Sequence, residues 1–375
     1  MLGRMNRRQF LATGTAASAA AAAPAQAQQY GKNDPRNDYK PGKAVMVVGC
    51  QRSGMTEKMA LYWKRNGVDH VCGSVPMGPN GYFEVADIEK SIAFFDKYGI
   101  KMTMAEINGL SSAYIGRASN PSIMMGKSPE RDKAIDNVCM SIRNAAKAGL
   151  PAFKYNMTVL GVLSTSPVTG RGGMRMRAWD LKEALAKNEG LTEAGPSPGP
   201  VMWERITYFL DRVIPVATEY KVRMACHPHD PGVPPEGFRG VDRVLGTVEG
   251  LKKFVSIQES PYHGLNFCQG TVSEMLKEPG KEIYDVIRYF GQRKKIFNVH
   301  FRNIKGGRDK FHETYPDEGD VNFVKAIRVY QEVGYPYMMM PDHMPTHPDD
   351  PGGQQAFAYA YGYIKALIQS LQTGA

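Results

Sequence analysis

Eight short apolar runs, each separated from the next by a segment of helical period, constrain this chain more than any other feature. The runs lie at 44–49 (AVMVVG), 69–72 (DHVC), 100–106 (IKMTMAE), 152–157 (AFKYNM), 222–227 (VRMACH), 264–268 (GLNFC), 295–300 (KIFNVH) and 336–341 (PYMMMP). Between and after them, apolar residues recur at three- and four-residue steps over 55–66, 86–98, 130–148, 202–219, 246–256, 273–290, 321–333 and 354–371. In 130–148, for instance, Ile135, Val138, Ile142 and Ala146 form one stripe that must face a sheet. Eight strands, each followed by a helix, predict a (β/α)8 TIM barrel over 43–375. A doubly wound open sheet is the alternative, but no GxGxxG follows the first run. With 375 residues and 42% hydrophobic content, the chain can bury the core such a barrel needs. Two Gly/Ser/Pro-rich stretches, 107–129 and 158–200, break the repeat, and the second carries RGGMRMR. Both follow strands and so are expected over the barrel's C-terminal mouth.

The barrel does not begin at the first residue. MNRRQFLATGTAASAAAAAPAQA joins Arg7 and Arg8 to an Ala-rich stretch with an Ala-Gln-Ala end, which predicts a twin-arginine export signal over 1–27 and a periplasmic or exported protein. The stretch is too short and too rich in Ala and Thr for stable membrane insertion. Residues 28–42, polar and rich in Pro and Asn, read as a linker. The net charge of +10 includes the three arginines of this leader, and no run of five basic residues occurs, so nucleic acid is a poor partner. Five widely spaced cysteines with no CxxC exclude a disulfide framework, leaving free thiolates for other work. A homo-oligomer is compatible with the sequence.

Polar side chains stand where four of the apolar runs stop. His227, Cys268, His300 and Asp342 fall at or just after the ends of the fifth to eighth runs, which are neighbours on one rim of a barrel. Two imidazoles, a thiolate and a carboxylate suit a divalent ion, with Mn²⁺, Fe²⁺ and Zn²⁺ all chemically possible. Arg302, two residues past His300, is a candidate to hold a substrate carboxylate. His343 is a candidate base, since an imidazole titrates near working pH. His312 and Glu313 read as hydrogen-bonders at the rim, and Tyr155, Asn156 and Glu106, at earlier strand ends, as hydroxyl-recognition residues. Glu274 and Asp320 are either supporting carboxylates or helix caps, while His70, His263 and His347 read as structural or surface residues.

In order, HPxDP, CxG, HxR, FHE with GDV, and PDH resemble the mannonate dehydratase family, as does SPERDKAIDNVCMSIRNAAKAGLPAFKYNM at 128–157. The resemblance implies a xylose isomerase-like TIM barrel and one Mn²⁺ or Fe²⁺ ion. The implied activity is that of a hydro-lyase converting D-mannonate to 2-dehydro-3-deoxy-D-gluconate and water. It makes His227, Cys268, His300 and Asp342 the metal ligands and His343 the acid/base residue. Removing the C2 proton and expelling the C3 hydroxyl needs a Lewis acid, a base and an acid for the departing oxygen; Tyr315 is a candidate for the last. The chain departs from the family's pattern at Met339-Met340-Pro341-Asp342-His343-Met344-Pro345, where that pattern has an arginine before Pro-Asp-His and Gly-His after it. A metal-dependent sugar isomerase, epimerase or other eliminating lyase therefore stays open as the alternative.

Overall fold

All eight expected strands form, and they close on themselves. The computed structural model describes residues 30–51, 54–107, 109–187, 189–232 and 237–373. The leader expected over 1–27 lies outside the described residues. Strands β1 (Val47–Cys50), β2 (His70–Gly73), β3 (Lys101–Glu106), β4 (Ala152–Asn156), β5 (Arg223–His227), β6 (His263–Cys268), β7 (Ile296–His300) and β8 (Met338–Met340) form a closed parallel barrel in which β8 returns to pair with β1. The principal helices are α1 (Glu57–Arg65), α2 (Val85–Asp96), α3 (Glu130–Ala148), α4 (Gly199–Tyr220), α5 (Val248–Ser256), α6 (Pro279–Gln292), α7 (Phe323–Val333) and α8 (Gln354–Thr373). The fold is thus a (β/α)8 TIM barrel.

Side-chain alternation along each strand sorts the interior into layers. Cys72, Met104, Ala152, Ala225, Phe297, Met338 and Met340 pack together inside the barrel as a small cluster separate from the main core. The main core lies outside it, between strands and helices, and includes Val71, Phe153, Tyr155, Met224, Leu265, Phe267 and Val299. Polar residues follow at the next inward position toward the C-terminal end of several strands. A barrel interior filled to its middle by apolar side chains leaves only its mouth for chemistry, which is why strands here end in His, Cys and Asn.

The sequence reading needs correction at several places. The helix expected over 273–290 is split into a fully buried turn, Gln269–Glu274, and α6, because Pro279 cannot donate to a preceding carbonyl and restricts the residue before it. A β-hairpin, Asn303–Gly307 with Lys310–Thr314, follows β7 and was not foreseen, although the GGRD turn with its left-handed Gly306 signals it. The second hairpin strand also pairs antiparallel with Ala178–Asp180 from the long 158–200 excursion, tying that excursion over the mouth. At the other end of the barrel, the stretch expected to be linker is packed from Asn33 onward. Tyr39 is buried and its hydroxyl donates to the Ile296 carbonyl at 2.5 Å, at the start of β7.

Tyr155, expected to recognise substrate, instead points outward from β4 into α4, its ring 5.5 Å from that of Phe209. Its neighbours Lys154 and Asn156 take the inward positions. Tyr155→Ala should therefore lower unfolding free energy by about 3–5 kcal/mol, as read from denaturant midpoints, while Tyr155→Phe leaves metal content unchanged.

Candidate metal centre

At the mouth, one donor atom from each of His227, Cys268, His300 and Asp342 lies within 4.8 Å of the others. The hydrogen bonds behind them fix which atoms face inward. His227 donates from Nδ1 to the Pro228 carbonyl at 2.7 Å, leaving Nε2 for the centre. His300 is held through Nε2 by the Asn266 side chain at 3.1 Å, which turns Nδ1 toward Asp342 Oδ2, 3.4 Å away. That Nδ1 is buried without a hydrogen-bond partner. Cys268 Sγ lies 3.7 Å from the same carboxylate oxygen and accepts from the Thr271 amide at 3.4 Å, at the first turn of the buried helix. Burial holds the His227 pKa down to about 4, so the ring is neutral. Burial alone would raise Asp342, but His300, His343 and Arg302 keep it well below the usual carboxylate range. Two imidazoles, a cysteine sulfur and an anionic carboxylate converge on one point, one ring nitrogen among them orphaned, and make a donor set that fits a divalent cation.

Beneath this set Arg302 is gripped from three sides. Its guanidinium donates to Asp230 at 2.8 Å, to Glu274 at 2.9 Å, to Thr271 Oγ1 at 2.8 Å and also to Glu313, with 1% of its side chain exposed. Gly270 makes the approach possible, because a Cβ at that position would collide with the Arg302 side chain. Burial and the charge on Asp230 push Glu274 well above the ordinary range, whereas Asp230, against the same burial, is held low by Arg302 and Arg177. Arg177 donates to Glu313 at 2.6 Å and reaches the Leu163 carbonyl.

Glu313 also receives His343 Nδ1 at 2.7 Å. Burial would raise this carboxyl, but His343 and Arg302 hold it down at about 2. In turn, burial works to lower His343 while Asp342 and Glu313 raise it to about 9. The carboxylate fixes the ring's orientation and leaves Nε2, 3.8 Å from Asp342 Oδ2, toward the centre. A cavity of about 190 Å³ opens over these groups, lined by Gln51, Lys154, Asn156, His227, His300, Asp342 and His343 among others.

Several expected residues fall elsewhere. Arg302 presents no open fork to a ligand, since three carboxylates occupy it; it holds the centre together. Glu313 is buried beneath His343 rather than standing at the rim, while His312, the alternate residue of the same hairpin strand, does not line this cavity. Tyr315 lines a different cavity with Arg171 and Tyr359, its ring stacked under the Arg171 guanidinium at 4.4 Å; the unforeseen hairpin carries it away from the donors. Glu106 stays at the mouth, 42% exposed and 3.6 Å from Lys154, and Asn156 lines the cavity. Sequence reasoning missed Gln51, Lys154 and Arg177. The inward register of AFKYN signals Lys154, whereas only the hairpin pairing brings Arg177 to Glu313.

The D-mannonate dehydratase (UxuA) family matches residues 169–375, more than half of the chain. Mannonate dehydratase of Thermotoga maritima is 28% identical over 320 residues, which cover 74% of this chain and 82% of that protein. Mannonate dehydratase 2 of Halalkalibacterium halodurans is 28% identical over 249 residues, covering 59% and 70%. Among solved structures, mannonate dehydratase from Streptococcus suis serotype 2 superposes with a TM-score of 0.72 at 22% identity, over 88% of this chain and 95% of that one. A D-tagatose 3-epimerase-like protein superposes at 0.56 with 14% identity, over 88% and 99%, which shows a common barrel. The matched segment spans the hairpin and every strand end that supplies a donor, and on it the chain belongs to the D-mannonate dehydratase family.

Proposed function

We propose that the chain is a metal-dependent hydro-lyase that converts D-mannonate to 2-dehydro-3-deoxy-D-gluconate and water. The observation that carries this reading is the placement of His343, oriented by a buried carboxylate, over the same small cavity as a four-donor metal set. Family membership narrows the substrate to a sugar acid. His227, Cys268, His300 and Asp342 would hold one Mn²⁺ or Fe²⁺ ion, whose Lewis acidity, when bound, stabilises negative charge on the substrate's oxygens.

The rest of the chemistry falls to side chains. C2 of a 2,3-dihydroxy acid is a weak carbon acid, so its proton needs a base held in place and a site that tolerates the resulting cation. His343 acts in its neutral form, which is favoured once the Asp342 charge that raises its pKa is offset by a bound cation; it takes the C2 proton at Nε2, and Glu313 stabilises the imidazolium that forms. The electron pair released at C2 forms the C2–C3 double bond as the C3 hydroxyl takes the proton back from the His343 imidazolium and leaves as water. The enol so formed tautomerises to the 2-keto acid. Arg302 takes no direct part; it holds Glu313, Asp230 and Glu274 at fixed spacing beneath the reacting groups.

Cys268→Ser should lower bound metal in elemental analysis by tenfold or more at equal protein, on the order of the loss expected when a soft ligand is replaced; unchanged metal would remove Cys268 from the set. His343→Asn should retain metal yet lose exchange of the substrate's C2 hydrogen in D₂O by about 10²–10⁴-fold, the usual contribution of a general base. Exchange at the wild-type rate would eliminate His343 as the base. The Arg7–Arg8 leader further supports export by the twin-arginine route. Lys-Lys at these positions should confine the protein to the cytoplasm, and an unchanged yield outside it would count against that route.

A further inference from the structure

The wall of the cavity beside the metal donors, on the strand paired with the one that ends in His227, carries a cation that the chemistry above does not use. Lys154 occupies the penultimate position of β4, faces into the barrel, and is 10% exposed. Its Nζ lies 3.2 Å from Gln51 Oε1 and 3.6 Å from Glu106 Oε1. Among the described residues it is the only lysine or arginine lining this cavity. Two residues on, and on the same face of the strand, Asn156 also lines it, and its buried Nδ2 has no hydrogen-bond partner.

The contrast with Arg302 is informative. A buried cation costs several kcal/mol to desolvate, roughly, unless it is paired and hydrogen-bonded. Arg302 meets that condition with the buried carboxylates of Asp230 and Glu313 and a further hydrogen bond to Glu274. Lys154 meets it only in part: Gln51 is neutral, and its one carboxylate partner, Glu106 at 3.6 Å, is 42% exposed. The ammonium nevertheless stays charged. Burial works to lower its pKa, but Glu106, Cys72 and Asp342 leave it raised above its ordinary value. Gln51 explains how the lysine is aimed, because its other end donates to Asp342 Oδ1 at 2.8 Å, which strings Lys154, Gln51 and a metal-donor carboxylate into one line.

We propose that Lys154, with the Asn156 amide beside it, receives the carboxylate of the substrate and makes the site select sugar acids over neutral sugars. The inference rests on the dehydratase reading for its choice of reaction but not for the anion. A carboxylate seated on Lys154 completes the ion pair that the free protein leaves loose, satisfies the orphaned amide of Asn156, and directs the adjacent C2 and C3 toward His343 and the donor set. Arg177 and Arg302 cannot serve instead, since both are engaged by Glu313 and neither lines the cavity.

The test uses the full chain loaded with Mn²⁺ in the His343→Asn background, so that no ligand is consumed during titration calorimetry. Ligands are D-mannonate, the hexonates D-gluconate and D-galactonate, and D-mannitol, which has the same carbon chain without a carboxylate. Lys154→Met should weaken hexonate binding by about 30-fold or more, the order expected for losing one partner of a buried charge pair. Lys154→Arg should recover part of the loss, and D-mannitol affinity should not move. Equal losses for mannonate and mannitol, or no loss for either, would overturn the assignment. So would loss of metal in Lys154→Met, because the lysine would then act on the donors through Gln51. If D-mannonate fails to bind but another hexonate binds and depends on Lys154, the D-mannonate reading falls while this one stands. If no hexonate binds the metal-loaded protein, both fall.

Discussion

A single guanidinium organises the mouth of this barrel. Arg302, just past β7, is bonded to Asp230 from the loop after β5, to Glu274 from the buried turn after β6, and to Glu313 from the hairpin after β7. The segments after three successive strands are thereby fixed around one buried charge. Breaking such a cluster by removing one partner costs about 3–5 kcal/mol, because the remaining charges are left without compensation. The position of His343 follows from this cluster, since its ring is oriented by the carboxylate that Arg302 and Arg177 also hold.

The centre therefore has two kinds of support. The metal donors come from strand ends, where the barrel's hydrogen-bonded frame sets their spacing, and the residues that orient the base come from loops braced against each other. Antiparallel pairing of Ala178–Asp180 with the hairpin gives those loops a frame of their own, a small sheet laid across the mouth. Opposite, the Lys154–Gln51–Asp342 line spans the remaining wall. The cavity between them has distinct sides, one rich in imidazole and carboxylate and the other in ammonium and amide.

How much of this was legible beforehand depended on the range of the interaction. Strand and helix positions follow from local periodicity, and the four donors follow from polar residues at successive strand ends, so both could be read from the sequence. Tyr155 is named and Lys154 passed over when the residues nearest the end of β4 are taken without applying its alternation, which puts 154 and 156 inside and 155 outside. The same rule separates His312 from Glu313 on the hairpin. Arg302 was placed on the right side of the barrel but given an external partner. Nothing local reveals that three carboxylates, 11 to 72 positions away, converge on it. Arg177 was invisible for the same reason: its contact with Glu313 spans 136 residues and depends on a sheet that exists only in three dimensions.

The floor under the donors is made largely of sulfur. Cys72, Met104, Met338 and Met340, all at most 5% exposed, pack inside the barrel with two alanines and Phe297. Such side chains fill irregular space well, but each sulfur can take up oxygen and become a polar sulfoxide or sulfenic acid. Inside a closed barrel few groups are available to solvate the new dipole. The polar layer of His227, Cys268, His300 and Asp342 therefore has a second consequence, unrelated to turnover. It lies between the cavity and this floor, so peroxide entering by the mouth reaches Met340 only past the protein's own ligand set, whereas Met104 and Met338 also line a cavity of about 100 Å³ at the other end of the barrel.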